Sequence, residues 1–303
     1  MRKPFAEAVI ELDLDTGKAP IFFLTGDLGF MALEGVRDVL RERFINCGVS
    51  EQNMLGVAAG LAKEGFRVFA YSIAPFCYAR PFEQIRNDIC FQKLPVCLVG
   101  NGGGYAYGYM GPTHHALEDC AVMTSLGVKV LAPAFDRDLK PMLSEINGPV
   151  YLRLGYDIHP KESAAPSYGG CGGWRKLLRG GNGALLALGP MAGLAWDALK
   201  DFAFDDRPEV WAVTELPLEA IPEELMLHLR GSRKLAVVEE HVAQGGLGVQ
   251  CAYLLTKHKI SLDKFTHRYA LGYPSGGYGS QNFHRAESGM DITAIQKMFA
   301  GED

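Results

Sequence analysis

Two segments hold the residues most able to do chemistry. The first is Arg43-Phe44-Ile45-Asn46-Cys47-Gly48-Val49-Ser50-Glu51-Gln52-Asn53-Met54, which puts a single carboxylate, Glu51, at the mouth of an apolar helical run. A carboxylate can act as a general acid–base group when a dry pocket surrounds it, and the apolar residues that follow Glu51 suit that role. The opposite fate is the ordinary one: a glutamate in the first turn of a helix complements the dipole and faces water. The second segment, Gly111-Pro112-Thr113-His114-His115-Ala116-Leu117-Glu118-Asp119, sets two imidazoles side by side. Histidine titrates near neutrality and can serve in both protonation states.

The elements that must position these groups follow from the apolar pattern. Buried strands are expected at 21–24, 67–71, 96–100, 129–132 and 150–154. Helices are expected at 52–64, 82–90, 115–126 and 135–146. Ser50 is a natural N-cap for the helix that begins near Glu51. Such alternation implies a parallel sheet with helices on both faces, and ligands in such sheets sit beyond the carboxyl ends of the strands. Residues 159–183, which include the turn-rich run 163–173, break the rhythm and read as a linker. Alternation then resumes, with strands at 184–188, 209–213, 235–239 and 266–271 and helices at 191–203, 218–229 and 246–257. The fold class is therefore α/β, two doubly wound domains with mostly parallel sheets: residues 1–158, a linker at 159–183, and a smaller domain at 184–303.

Composition bounds the function class. The chain has 303 residues, 48% hydrophobic and 21% charged, with a formal net charge of −5. This fits a globular protein and leaves no electrostatic footprint for nucleic acid or acidic lipid. No apolar run approaches the length of a membrane span, and the N-terminus lacks the apolar core of a signal peptide. The seven cysteines are odd in number and show no CxxC spacing, which reads as buried free thiols in a reducing cytoplasm, with no zinc site.

Arg43–Met54, extended by Gly56-Val57-Ala58-Ala59-Gly60-Leu61-Ala62, resembles the transketolase segment that carries the catalytic glutamate. The resemblance spans nearly the whole chain and is strongest over 43–120. It implies a pyrimidine-binding fold plus a C-terminal-like domain, thiamine diphosphate as cofactor, and Glu51 as the carboxylate that hydrogen-bonds the aminopyrimidine. Ala70–Phe76 with Arg80–Asp88 looks like the region that stacks an aromatic ring on the pyrimidine. Phe76 is the candidate, with its neighbour Cys77 one residue away in the family spacing. By the same resemblance His114 lies near the reacting carbon, Asp27 near the cofactor at a subunit junction, and Arg2, Arg80 and Arg153 at substrate positions. Asp27 also reads as a helix N-cap, and each arginine as a surface cation. His115 and His241 read as structural.

The resemblance also shows what is missing. No glycine-aspartate-glycine segment with paired asparagines is present to hold Mg2+ and the diphosphate. The implied protein is one half of a split transketolase-like enzyme. An N-terminal diphosphate-binding partner would supply the metal site, with a homodimer contact inside a two-plus-two heterotetramer. The implied reaction moves a two-carbon ketol unit from a ketose or ketose phosphate to an aldehyde. The alternatives are a beta subunit of a 2-oxo acid dehydrogenase, a deoxyxylulose-phosphate-type synthase, or a non-catalytic structural subunit; Thr113-His114-His115 argues against the dehydrogenase. Two departures bear on substrate. Met110 stands where full-length transketolases carry an acid, which suggests a less polar or modified acceptor. Asn101-Gly102-Gly103-Gly104 lacks a family histidine and also the lysine and hydroxyl of a phosphate loop; it reads as a mobile loop shaped by cofactor or partner.

Overall fold

A computed structural model describes residues 1–15, 17–156 and 173–299. The first sheet is built from β1 (Ile21–Thr25), β2 (Phe44–Asn46), β3 (Arg67–Ile73), β4 (Val96–Asn101), β5 (Lys129–Leu131) and β6 (Val150–Leu154). Side chains alternate across it with the two-residue period of a strand. Leu24, Val68, Ala70, Val96 and Leu98 enter the core on one face. Ile21, Phe23, Phe69, Tyr71, Cys97 and Val99 enter it on the other. Both faces are therefore dry, as a parallel sheet requires.

Helices cover the two faces. α1 (Arg2–Asp13) lays Phe5, Ala6, Val9 and Leu12 on the aromatic side, beside α2 (Glu34–Leu40). α3 (Glu51–Lys63) packs Met54, Leu55, Ala58 and Ala62 on the opposite side. α4 (Ala74–Tyr78) follows β3 directly, with Pro75 in its first turn, where a missing N–H costs nothing.

The second sheet is made of β7 (Trp174–Leu178), β8 (Ala184–Leu188), β9 (Glu209–Val213), β11 (Lys234–Glu239) and β12 (Lys264–Tyr269), in the order β12-β11-β8-β9-β7. All its pairings are parallel except β7 with β9. The short β10 (Glu215–Leu216) crosses over and pairs antiparallel with β5, so the first sheet runs β10-β5-β6-β4-β3-β1-β2. The α/β class with two mostly parallel sheets is thus present.

Several local expectations change. Of the linker expected at 159–183, Trp174–Leu178 is a strand, at the edge of its sheet and paired among the described residues with β9 alone; residues 159–172 lie outside the described residues. The helix expected at 82–90 is a short α-helical turn that widens into a π-helix over Ile85–Cys90. The helix expected at 115–126 begins at Asp119. Ser50 does not cap α3 with its side chain: its hydroxyl donates 2.6 Å to the Cys47 carbonyl. Among the described residues no helix is long and apolar enough to cross a membrane.

Candidate active site

β1 ends at Thr25, and the chain passes through Gly26 before β2 returns alongside it. Gly48, with φ +69°, then turns the backbone into α3. That turn aims the first helical residue inward. Glu51 is 3% exposed, so it does not take the usual outward course of a first-turn glutamate. Its Oε1 accepts 3.2 Å from the Ser72 hydroxyl at the carboxyl end of β3. Arg80 Nη1 stands 3.0 Å from both carboxylate oxygens. A Cβ on Gly26 would lie 3.5 Å from Glu51 Oε1, so the backbone closes one side of the carboxylate.

Arg80 is also the link to the aromatic residue. Its guanidinium carbon lies 3.7 Å from the centroid of the Phe76 ring. The His114 ring meets Phe76 edge-on, with centroids 5.2 Å apart. His114 Nδ1 is 2.8 Å from the Thr113 hydroxyl, and no group among the described residues bonds its Nε2. Glu51, Arg80, Phe76 and His114 thus form one continuous group. Cys77 is 0% exposed, its thiol lies 3.9 Å from the Ala70 carbonyl, and burial pushes that thiol up. Phe76, half-buried, is the member of that pair beside His114.

The other expected site residues lie elsewhere. Asp27 is on the exposed rim at φ +60°, where its carboxylate accepts 2.8 Å from Asn46 Nδ2. It caps no helix, because α2 starts only at Glu34. It borders a cavity of about 400 Å³ lined also by Leu28, Phe30, Leu33 and Arg37. Arg2 is exposed at the start of α1, near the Tyr71 and Tyr107 phenols; burial pushes both phenols up, and the Arg2 charge offsets only part of that rise.

Arg153 departs furthest from its expected role at the substrate. It is 5% exposed, and its donors reach Asp119 Oδ2 at 2.7 Å, the Ala116 carbonyl at 3.0 Å and the Glu240 carbonyl at 2.9 Å. Burial alone would lower the guanidinium, but the Asp119 carboxylate beside it more than offsets that and holds it above its ordinary value. It ties the two domains together. The glycine run is likewise a packing device and not a mobile loop. Gly102 and Gly103 donate to the Leu154 carbonyl, a Cβ on Gly103 would come within 2.7 Å of Arg153, and one on Gly104 would collide with Glu240.

The histidines read as structural are engaged. His115 Nε2 donates 2.8 Å to the Gly108 carbonyl, and its Nδ1 meets the Tyr273 hydroxyl at 2.7 Å. Burial is the main cause holding this imidazole below its ordinary value. His241, fully buried, donates through Nδ1 to the Val242 carbonyl and accepts the Ala121 N–H on Nε2. With Asp119 and Cys120 it forms the one trio of metal-ligating types among the described residues. Its acid is already taken by Arg153 and Tyr151.

The sequence reading did not single out Ser72, Tyr107 or Asp119. Ser72 sits at the carboxyl end of a strand, the signal that could have found it. Tyr107 flanks the His114 ring at 5.7 Å and is fixed by a 2.7 Å bond from Asn101.

This geometry suits a flat ligand that can donate a hydrogen bond. A buried acid and a half-buried ring share a flat cationic donor, bonded to one and stacked on the other. A planar heterocycle with an N–H group fits the same two surfaces. The aminopyrimidine of thiamine diphosphate, the cofactor that the resemblance implies, is a ring of this kind.

Comparison with known proteins points the same way. Residues 2–156 match the family model described as transketolase, pyrimidine binding domain. The chain is 31% identical over 265 residues to one of the subunits of the apulose-4-phosphate transketolase of Actinobacillus succinogenes, covering 84% of this chain and 83% of that one. It is 28% identical over 310 residues to the corresponding apulose-4-phosphate transketolase chain of Phocaeicola vulgatus, covering 98% and 95%. A split gene transketolase, solved as an inactive beta4 tetramer, superposes with a TM-score of 0.79 at 28% identity, covering 98% of this chain and 95% of that one.

Proposed function

The chain belongs to the transketolase pyrimidine-binding family, and from that premise we propose that it is the pyrimidine-binding subunit of a two-chain, thiamine diphosphate-dependent transketolase-like transferase. The observation that carries the reading is the inward-facing Glu51 carboxylate, grouped with Phe76 and His114 at the carboxyl ends of the strands. When bound, thiamine diphosphate supplies the carbanion chemistry that moves a two-carbon ketol unit.

This chain's residues then have distinct tasks. Glu51 accepts a hydrogen bond from the ring nitrogen of the aminopyrimidine and holds the proton there. Ser72 fixes the carboxylate. Phe76 supplies the stacking face, and His114 presents Nε2 to the substrate oxygen. Arg2, and Arg80 once it is released from Glu51, are the cations available to an anionic donor such as a ketose phosphate; Arg153 is not, being buried against Asp119. Asp27 sits on the rim where a neighbouring subunit would meet the site.

Mg2+ and the diphosphate would be held by the partner chain, in a two-plus-two assembly. The related split protein was solved as an inactive beta4 tetramer, which supports a half-site in the lone chain. Met110, 54% exposed on the His114 loop, favours an acceptor less polar than the common pentose phosphates. The six described cysteines are all free, which supports work in a reducing cytoplasm.

The test is reconstitution. The purified chain should show no thiamine-dependent turnover, and a diphosphate-binding partner should restore it. Robust turnover by the lone chain defeats the split-site reading. Turnover of xylulose 5-phosphate with ribose 5-phosphate at ordinary transketolase rates removes the argument from Met110.

A further inference from the structure

Arg80 bonds both oxygens of Glu51 through one nitrogen at 3.0 Å while its flat guanidinium lies over Phe76 at 3.7 Å. The two partners differ sharply in exposure. The Glu51 side chain is 3% exposed and that of Arg80 is 43% exposed. The acid is therefore fixed in the wall of the site, and the cation reaches it from the mouth. The Arg80 backbone is held separately, its carbonyl accepting 3.3 Å from Gln52 Nε2, so the side chain can leave without moving the chain.

We infer that Arg80 is a displaceable stand-in for the aminopyrimidine, filling the carboxylate and the ring face until the heterocycle takes both. This rests on the pyrimidine-pocket reading. The physical reason is desolvation. Stripped of its cation, the buried carboxylate keeps, among the described residues, only the Ser72 hydroxyl, and an unpaired buried charge is strongly disfavoured. Arg80 therefore leaves only as the ring nitrogen arrives with a proton taken up from solvent, which then lies between that nitrogen and the Glu51 carboxylate. Exchange in place of simple filling weakens heterocycle binding by the strength of the contact that is lost. A charge-assisted hydrogen bond of this kind corresponds to about tenfold in affinity.

The experiment uses the full-length chain and free thiamine, which carries the heterocycle without the diphosphate tail. Binding is followed by calorimetry and by the thermal midpoint for wild type, Arg80→Met, Glu51→Gln and the double variant. The expected result is Arg80→Met binding thiamine about tenfold tighter than wild type, with a lower midpoint alone and a larger rise on adding thiamine. That gain should vanish in the double variant. Equal or weaker binding by Arg80→Met, with Glu51→Gln still weakening binding, overturns the exchange and leaves the pocket reading standing. Absence of saturable thiamine binding in every variant overturns both.

Discussion

The Arg153 guanidinium, at the end of a first-domain strand, donates 2.9 Å to the main-chain oxygen of Glu240 in the second domain. The same side chain closes on Asp119, which is 0% exposed. Removing it leaves that acid buried with Tyr151 and the weak Cys120 thiol contact. Arg153→Met should therefore destabilise the protein by about 3 kcal/mol or more, seen as a lower urea midpoint. If Arg153 instead faced substrate, the variant would keep its midpoint and raise KM.

Glu51→Gln should leave the fold standing, since an amide keeps the shape and one acceptor for Ser72 and Arg80. Turnover of the reconstituted pair should fall by about 10²–10⁴-fold, the usual size of a lost general acid–base group. Steady-state kinetics beside a thermal melt separates the two effects. Unchanged turnover would favour a non-catalytic subunit.

His114→Ala should lower kcat of the reconstituted pair by about 10²-fold. The melting point should move little, because the ring is only half-buried and its side-chain hydrogen bond is to its neighbour Thr113. Thr113→Val should show a smaller kcat loss, since it removes the contact that orients the ring. A Thr113→Val defect as large as that of His114→Ala would show that the loop, and not the imidazole, matters.

Stability should fall on mild acidification. His115 is held below the usual histidine value of about 6.5 by burial, with His284 and His114 adding repulsion and Glu240 opposing it. The unfolded chain takes up its proton near 6.5, and the native protein only at lower pH. The unfolded state therefore binds more protons in that interval, so stability is full above about 6.5 and declines as pH drops below it. Urea midpoints between pH 7.5 and 5 should show the decline, and His115→Gln should flatten it. An equal slope in that variant would place the effect elsewhere.

Much of this architecture was legible because burial on both faces leaves uninterrupted apolar runs. Ile21–Leu24 and Val96–Gly100 could hardly be anything but inner strands. The edge strand Trp174–Leu178 was not legible, since Lys176 and Arg175 interrupt its apolar residues and, among the described residues, β9 alone pairs with it. α1 was passed over although Phe5, Val9 and Leu12 follow a helical spacing. At the site, Glu51, Phe76 and His114 came from the resemblance, and the structure brings them together. Residue type cannot tell an arginine that awaits an anion from one that is already paired. For Arg153 the answer lay in Asp119, a residue of another element that only the folded chain places beside it.

β10 completes the first sheet from the far half of the chain, covering the outer side of β5. A fragment ending near residue 158 would lose that cover. It would bare the backbone donors and acceptors of an apolar strand, a ready template for pairing with other copies. Such a piece is expected to aggregate on expression, so domain-swap engineering in this scaffold has to carry Glu215–Leu216 along with the residues ahead of it.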